Sequence, residues 1–385
     1  MTRDTNNQKT AHILTGMCGL LFAVFTFCYL YVMQADQLAA VQYVLSKGQT
    51  VYHPLRGALL VTAVLCGVVW FCSRLRCLPL RAVALYLFPA ALGLGLLTSL
   101  VPVGAGRVAS QSSPVVVAVL LVLYVAVVLY MMRRAPRAGD EALGMVPLLM
   151  PNLLWLLLQM GVVGVLGSCN DVYHYRLEVA RLVGQRQDSA ALQVGAASLH
   201  TDRSLTAMRA FAMSRSGSLP QRLFDYPQPY GSEGLMPLPS DTLYPQHWID
   251  SLYVHLGGRP STGIRSTRQF LNILSGRVTA CNPVCDYLLC ACLLDKDLDA
   301  FVEALPRYYA LNDSLPVAYQ EALVLYGRLH THPRLTYTSE VVQANLDAFV
   351  QLEDCYDDPQ ERCNRTRELY GHTYWWYYYY QPQPE

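Results

Sequence analysis

The chain has 385 residues, of which 53% are apolar and only 15% charged, with a mean hydropathy of +0.22; soluble proteins carry about 25% charged residues. Residues 1–166 hold 11 Lys/Arg against 4 Asp/Glu, and residues 167–385 hold 18 against 24, so a net charge of +1 conceals a basic, apolar part followed by an acidic, water-compatible one. This division excludes a single soluble globule, a disordered chain and a nucleic-acid binder acting through overall positive charge.

Five apolar stretches, at 13–33, 55–72, 82–103, 114–132 and 145–166, approach or reach the roughly 20 helical residues that cross a hydrocarbon layer. None has an internal Asp, Glu, Lys or Arg, and Arg56, Arg74 and Arg133 can snorkel to lengthen the shorter ones. Eight basic residues (Arg3, Lys9, Arg74, Arg76, Arg81, Arg133, Arg134 and Arg137) fall on one side and three (Lys47, Arg56 and Arg107) on the other. The excess predicts a cytoplasmic N-terminus, and an odd number of spans then leaves everything after Leu166 outside. The first stretch is too long for a signal peptide, and no small-x-small site follows it. Leu38, Val41, Val44 and Leu45 recur at helical spacing before Gly48, which fits either a helix lying in the interface or an extra turn of the first span. Pro151-Asn152 is the one pair in the spans that suggests a broken transporter helix, and without ionisable groups it does not carry a transport role.

From Asn170 onward the apolar residues take helical spacing: Tyr175, Val179, Leu182 and Val183; Leu205, Met208, Phe211 and Ala212; Leu298, Phe301, Val302 and Leu305; Tyr319, Ala322, Leu323 and Tyr326; Val342, Leu346, Phe349 and Val350. Ser314, Ser339 and Asp358-Pro359-Gln360-Glu361 are start signals. The fold class is therefore all-α: a polytopic bundle of about five spans, residues 1–166, followed by an extracytoplasmic helical domain, 167–385. Gly184–Asp202 and Asp295–Asp313 resemble the second helix and exit of tetratricopeptide-like repeats, although the consensus Trp, Gly–Tyr pair and terminal Pro are out of register. A repeat-like solenoid and an irregular helical domain both fit. Solenoid surfaces bind peptides or proteins more often than they do chemistry.

A Pro/Tyr-rich strap, 216–263, separates the helical blocks. Its Tyr226, Tyr230, Tyr244, His247, Trp248, Tyr253, His255 and Arg259 combine flat rings with polar tips, as a site for a peptide or a sugar ring does; a proline-stiffened strap packing its rings onto the helices is the other reading. The tail from Tyr370 to Tyr380 has eight aromatics in eleven residues. Tyr374, Trp375, Trp376 and Tyr377 suit the membrane interface, or alternatively a last helix capping the domain. An outer compartment permits disulfides, for which Cys281 with Cys285 and Cys355 with Cys363 are the nearest pairs in sequence. No nucleotide, metal or hydrolase motif is present, His330-Thr-His332 is an incomplete zinc pattern, and no cofactor is expected.

The stretches Cys28–Leu60, Tyr175–Ser232 and Leu294–Leu323, with the YGHTYWWYYYY tail, resemble a family of uncharacterised Bacteroidota multi-span membrane proteins classed as a domain of unknown function. The resemblance implies a bacterial inner-membrane protein and carries over no catalytic residue. Many members look longer in the membrane part, which by expectation makes this chain a shortened one. The leading expectation is an inner-membrane anchored, periplasm-facing scaffold whose partners are membrane lipid and an envelope protein or peptide, with no nucleic acid. The alternative is an envelope enzyme acting on lipid-linked or surface glycan, with Asp250 and His247 in a cleft. A sensor is a third possibility, for which the cytoplasmic loops are short.

Overall fold

The computed structural model describes residues 2–75, 78–102, 107–133, 145–167, 170–237, 247–261, 266–277, 282–312 and 314–382. The chain divides into two compact units, Met1–Asp171 and Val172–Glu385. Apart from one antiparallel pair of three-residue strands, β1 (Leu100–Pro102) and β2 (Val108–Ser110), the described residues that are ordered into elements are helical.

In the first unit five helices are long and apolar enough to cross a membrane: His12–Met33, Pro54–Ser73, Leu80–Thr98, Pro114–Arg133 and Val146–Leu166. They mark the chain as a membrane protein. The clearest sign is helix α5 (Pro114–Arg133), which buries none of its residues and leaves Val115, Val119, Val122, Leu123 and Leu129 exposed. Such a surface is tolerated by lipid rather than water. The third span is the hub, against which α1 (Thr2–Cys28), α3 (Pro54–Ser73) and α6 (Met145–Leu166) pack. Ala84, Ala90, Ala91 and Gly95 keep it thin, and a Cβ at Gly95 would press to 3.0 Å from Leu166.

One local feature departs from the sequence expectations, and a second decides between two of them. The third span begins as a 3-10 segment, Leu80–Leu87, kinked at Ala82, and runs on as α4 (Phe88–Thr98). Its helix stops at Thr98 rather than Val103, because the chain turns into β1, and Val103 itself lies outside the described residues. The kink is repaired from α6: Asn152 accepts the Ala84 N–H at 2.9 Å and donates to the Leu80 carbonyl at 2.8 Å, while Gln159 donates to the Ala84 carbonyl at 3.0 Å. Asn152 thus supplies hydrogen bonds that an irregular helix in lipid cannot obtain from water. Of the two readings of the segment before Gly48, the separate helix is the one found: α2 (Ala35–Leu45) lies between the first two spans, set off from α1 by a π turn over Tyr29–Met33. Gln37 on α2 donates to the carbonyls of Thr98 at 2.6 Å and Leu100 at 2.8 Å. Lys47 and Gly48, at φ +52° and +79°, end α2.

Among the described residues the second unit has one hydrophobic core. Three helices run through it: α9 (Arg203–Arg215), α13 (Asn282–Leu294) and α15 (Val317–Leu329). Ser204–Met213 of α9 are all buried, where the Leu205/Met208/Phe211/Ala212 stripe implied one inward face; Ala207, Ala210 and Ala212 provide the small surfaces that let neighbours close from every side. Around them lie α7 (Asp171–Gly184), α8 (Asp188–Gln193), α10 (Leu219–Arg222), α11 (His247–Leu256), α12 (Thr267–Ser275), α14 (Leu298–Ala304), α16 (Glu340–Glu353), α17 (Pro359–Tyr370) and α18 (Tyr374–Tyr380).

The hairpins α7–α8 and α13–α14 turn in the same way. Arg186 and Lys296 sit at φ +59° and +56°, and the next residues, Gln187 and Asp297, donate back to the carbonyls of Leu182 at 2.9 Å and Cys292 at 3.0 Å. These are Schellman turns with a basic residue where glycine is usual. Start signals are mixed. Asp358 caps α17 by accepting the Glu361 N–H at 2.8 Å, Ser339 precedes α16 without a side-chain cap bond, and Ser314 donates to the Asn312 side chain, leaving Pro316 at the cap of α15.

Candidate functional site

The strap is not one continuous loop. It contains α10, 3-10 turns at Leu223–Asp225 and Gly231–Leu235, and all of α11. Its anchor is Glu233, whose carboxylate accepts from Arg203 at 3.0 Å, the Thr267 N–H at 2.8 Å and the Thr267 hydroxyl at 3.1 Å, tying α9 to α12.

The eight strap residues expected to form one binding site are therefore dispersed. Trp248 is buried in the core. Tyr253 packs edge-on to Phe270, with the Arg259 guanidinium over its ring at 5.7 Å, and Arg259 is ion-paired with exposed Asp250 at 2.7 Å. His255 meets Ser214 at 3.0 Å, and burial, reinforced by Arg215, holds its pKa below the usual imidazole value. The Tyr230 hydroxyl donates to the Thr201 carbonyl at 3.4 Å. Tyr244 and the His247 side chain lie outside the described residues. Trp248, Tyr253 and His255 share α11, whereas Tyr226 and Tyr230 lie in turns before it and Arg259 after it, and their packing against the unit follows the other reading of the strap, rings laid onto the helices.

Among the described strap residues of that set, only Tyr226 lines a cavity of about 190 Å³; a wider one of about 440 Å³ lies elsewhere in the unit, between Arg268, Cys292 and Tyr308. Three segments wall the smaller one: Ala196–Leu199 beyond α8, Phe224–Gln228 of the strap, and the C-terminal Arg367, Gly371, His372, Trp376, Tyr377 and Gln381. Local geometry sets each in place. The Tyr226 hydroxyl donates to the Leu192 carbonyl, and burial pushes its pKa up against the pull of Arg222 and Arg209. Gln228 donates through Nε2 to the Leu223 carbonyl at 2.8 Å. Gly371 makes the tight turn between α17 and α18, since a Cβ there would come within 2.6 Å of the Arg367 carbonyl oxygen. Thr373 caps α18 by accepting the Trp376 N–H at 3.4 Å.

Two buried polar atoms of the lining residues have no partner among the described residues: the acceptor Gln228 Oε1 and the donor Trp376 Nε1. Gln228 is 3% exposed and Trp376 5%. Arg367 lies over the Trp376 ring at 5.2 Å. Among the described residues its guanidinium has no carboxylate within ion-pair distance, whereas Asp225, also in the lining, is engaged by Arg222 at 3.0 Å. Both orphan atoms are enclosed by protein, so they lie behind the cavity wall, and Arg367 is the half-buried cation of the lining. Sequence reasoning missed Gln228, Arg367 and His372; the proximity of a Gln in the strap to an Arg some 140 residues later leaves no local signal.

The aromatic tail is core, which corrects the interface placement of Tyr374, Trp375, Trp376 and Tyr377. All four are buried in the second unit, with Tyr374 and Tyr377 against Phe224 and Trp375 near Phe349. Rings that fill a protein interior are unavailable to headgroups. Lys296 closes the end of α18 by donating to the carbonyls of Tyr378 and Gln381, both at 2.6 Å. Cys285, Cys355 and Cys363 are free thiols, and Cys281 lies outside the described residues. Exposed Cys355 follows α16 while Cys363 packs toward the core from α17, so nearness in sequence does not bring a bond. Among the described residues no three His, Cys, Asp or Glu side chains gather as a metal site.

The sequence profile of DUF6057, a family of unknown function, matches residues 7–259 and 263–381. No curated protein and no solved structure matches the chain.

Proposed function

We propose that this chain, which belongs to the DUF6057 family, is a bacterial inner-membrane protein that presents its helical second unit to the periplasm as a binding module for an envelope protein or peptide. The observation that carries the reading is a helical unit that follows five apolar helices and has a concavity of about 190 Å³ walled in part by Gln228, Trp376 and Arg367. Support for the orientation comes from the eight-to-three excess of Lys/Arg on the flanks. The paired α7–α8 and α13–α14 turns support a repeat-like organisation of tetratricopeptide kind. Envelope-enzyme chemistry has less behind it: Asp250 is exposed and occupied by Arg259.

Reporter fusions after residues 136 and 187 test the topology, with cytoplasmic activity expected at the first and periplasmic at the second. Crosslinking in intact membranes followed by purification tests the binding role. A recurrent protein partner is expected, and its consistent absence overturns the reading.

A further inference from the structure

The first unit has a cavity of about 400 Å³ where α2 meets the ends of two spans. To its lining α2 contributes Leu38, Val41 and Leu45, α3 contributes Val61, α4 contributes Leu97, and Tyr52 comes from the turn between α2 and α3. Two local contacts shape it. Gln37 fastens α2 to the carbonyls of Thr98 and Leu100, and Gly57 lets the Tyr52 ring lie on α3, where a Cβ would overlap it. The remaining lining residues, Gln42 and Ser46, are polar but already engaged. Gln42 donates to the Thr50 hydroxyl at 2.9 Å, and the Ser46 hydroxyl donates to the Tyr43 carbonyl and accepts the Thr50 N–H, both at 3.3 Å. The turn that ends α2 thus uses these groups, and what is left for an occupant is apolar. Such a space holds hydrocarbon better than water.

Its position names the hydrocarbon. Val61 lies about 10 Å along α3 from Pro54, and Leu97 is next to last in α4, so the cavity sits at one end of the bundle, at the depth where acyl chains join their headgroups. Leu59, Leu60 and Val64 are exposed beside Val61 and continue its apolar surface into the lipid-facing side of α3. A second copy of the chain would close on α3 through small residues, not through these three. Charge is arranged to match a lipid. Lys47 follows Ser46, Arg56 shares a face of α3 with Leu60 one turn on, both are exposed, and among the described residues neither meets a carboxylate. Asp36, the only acid between residues 34 and 60, is at the opposite end of α2.

We infer that this cavity seats an acyl chain of an anionic phospholipid, with Lys47 and Arg56 against its phosphate. The assignment does not depend on what the second unit binds.

The test uses the full chain, delipidated in detergent and given equal amounts of dioleoyl phosphatidylglycerol and dioleoyl phosphatidylcholine, with retained lipid read by native mass spectrometry. Phosphatidylglycerol is expected to be favoured about tenfold, as two cations beside a phosphate imply. Lys47→Asn combined with Arg56→Gln removes the preference and leaves chain binding; Asn tolerates the positive φ at position 47. Val61→Trp fills the cavity and loses the lipid. Leu45→Trp, at an exposed lining position, is expected to do the same and decides the matter if Val61→Trp melts below the wild type. Equal retention of the two lipids by the wild type overturns the phosphate assignment. Retention of neither, or retention that both Trp variants leave unchanged, overturns the cavity as a lipid site. A wild-type dimer that the Trp variants convert to a monomer, with bound lipid unaltered, assigns the cavity to a second copy and the lipid assignment falls.

Discussion

Glu321 Oε2 accepts the backbone N–H of Tyr374 at 2.7 Å, joining the middle of α15 to the first residue of the tail helix. Glu321 is 6% exposed, and burial pushes its carboxyl up to about 8, opposed by that one hydrogen bond. Between the ordinary value of 4.5 and about 8 the folded chain holds a proton that the unfolded chain has lost. The group's contribution is therefore complete at low pH and declines as pH rises through about 8. Glu321→Gln keeps an acceptor and cannot ionise. Its melting temperature is expected to vary less than the wild type's from pH 5 to pH 9 and to exceed it at pH 9, read by intrinsic fluorescence of the solubilised full chain. An unchanged pH slope would refute the assignment.

Lys296 does two things, holding a left-handed turn and closing α18. Lys296→Met removes an ammonium that serves two carbonyls, with an expected loss of about 1–3 kcal/mol. Lys296→Gly loses the same bonds but relieves the backbone at φ +56°, so it is expected to be the milder change. In both, hydrogen exchange over residues 374–381 accelerates first. Protection equal to wild type in either variant argues against the cap.

Within the first unit, Asn152→Leu leaves the Ala84 N–H and the Leu80 carbonyl unserved in a region without water. The expected cost is about 1–2 kcal/mol in a detergent-denaturation titration. Gln159→Leu, which removes one bond, is expected to cost about half as much.

Cys355 is exposed, whereas Cys290 and Cys292 are buried in α13, where burial raises both thiols, Cys292 to about 11. A membrane-impermeant maleimide added to spheroplasts without reductant is expected to label the chain, and Cys355→Ser to remove most of that label. Labelling that requires a reductant would reinstate a disulfide, and labelling that requires lysis would reverse the orientation.

Sequence periodicity was most informative where one local property suffices. The five apolar spans are set by length and the absence of charge, and the N-cap at Asp358 by a four-residue pattern, because lipid transfer and first-turn hydrogen bonding are decided within the segment itself. Glu321 was illegible: helical spacing puts it beside, not on, the Tyr319/Ala322/Leu323/Tyr326 stripe, yet α15 is enclosed on all sides and buries it. The tail was ambiguous for a related reason. Tyr and Trp satisfy a headgroup layer or a protein core equally well, and Phe224, Phe349 and Glu321 are what draw α18 inward.

By itself, then, the amino-acid order determined which segments lipid can solvate and which residues start helices, since hydrophobicity and capping act over a few neighbours. Tertiary structure alone decided that the strap's rings disperse, that Cys355 and Cys363 stay apart, and that Gln228, Trp376 and Arg367 wall one cavity. Those outcomes depend on which distant surfaces exclude water from one another, and no short stretch of chain encodes that.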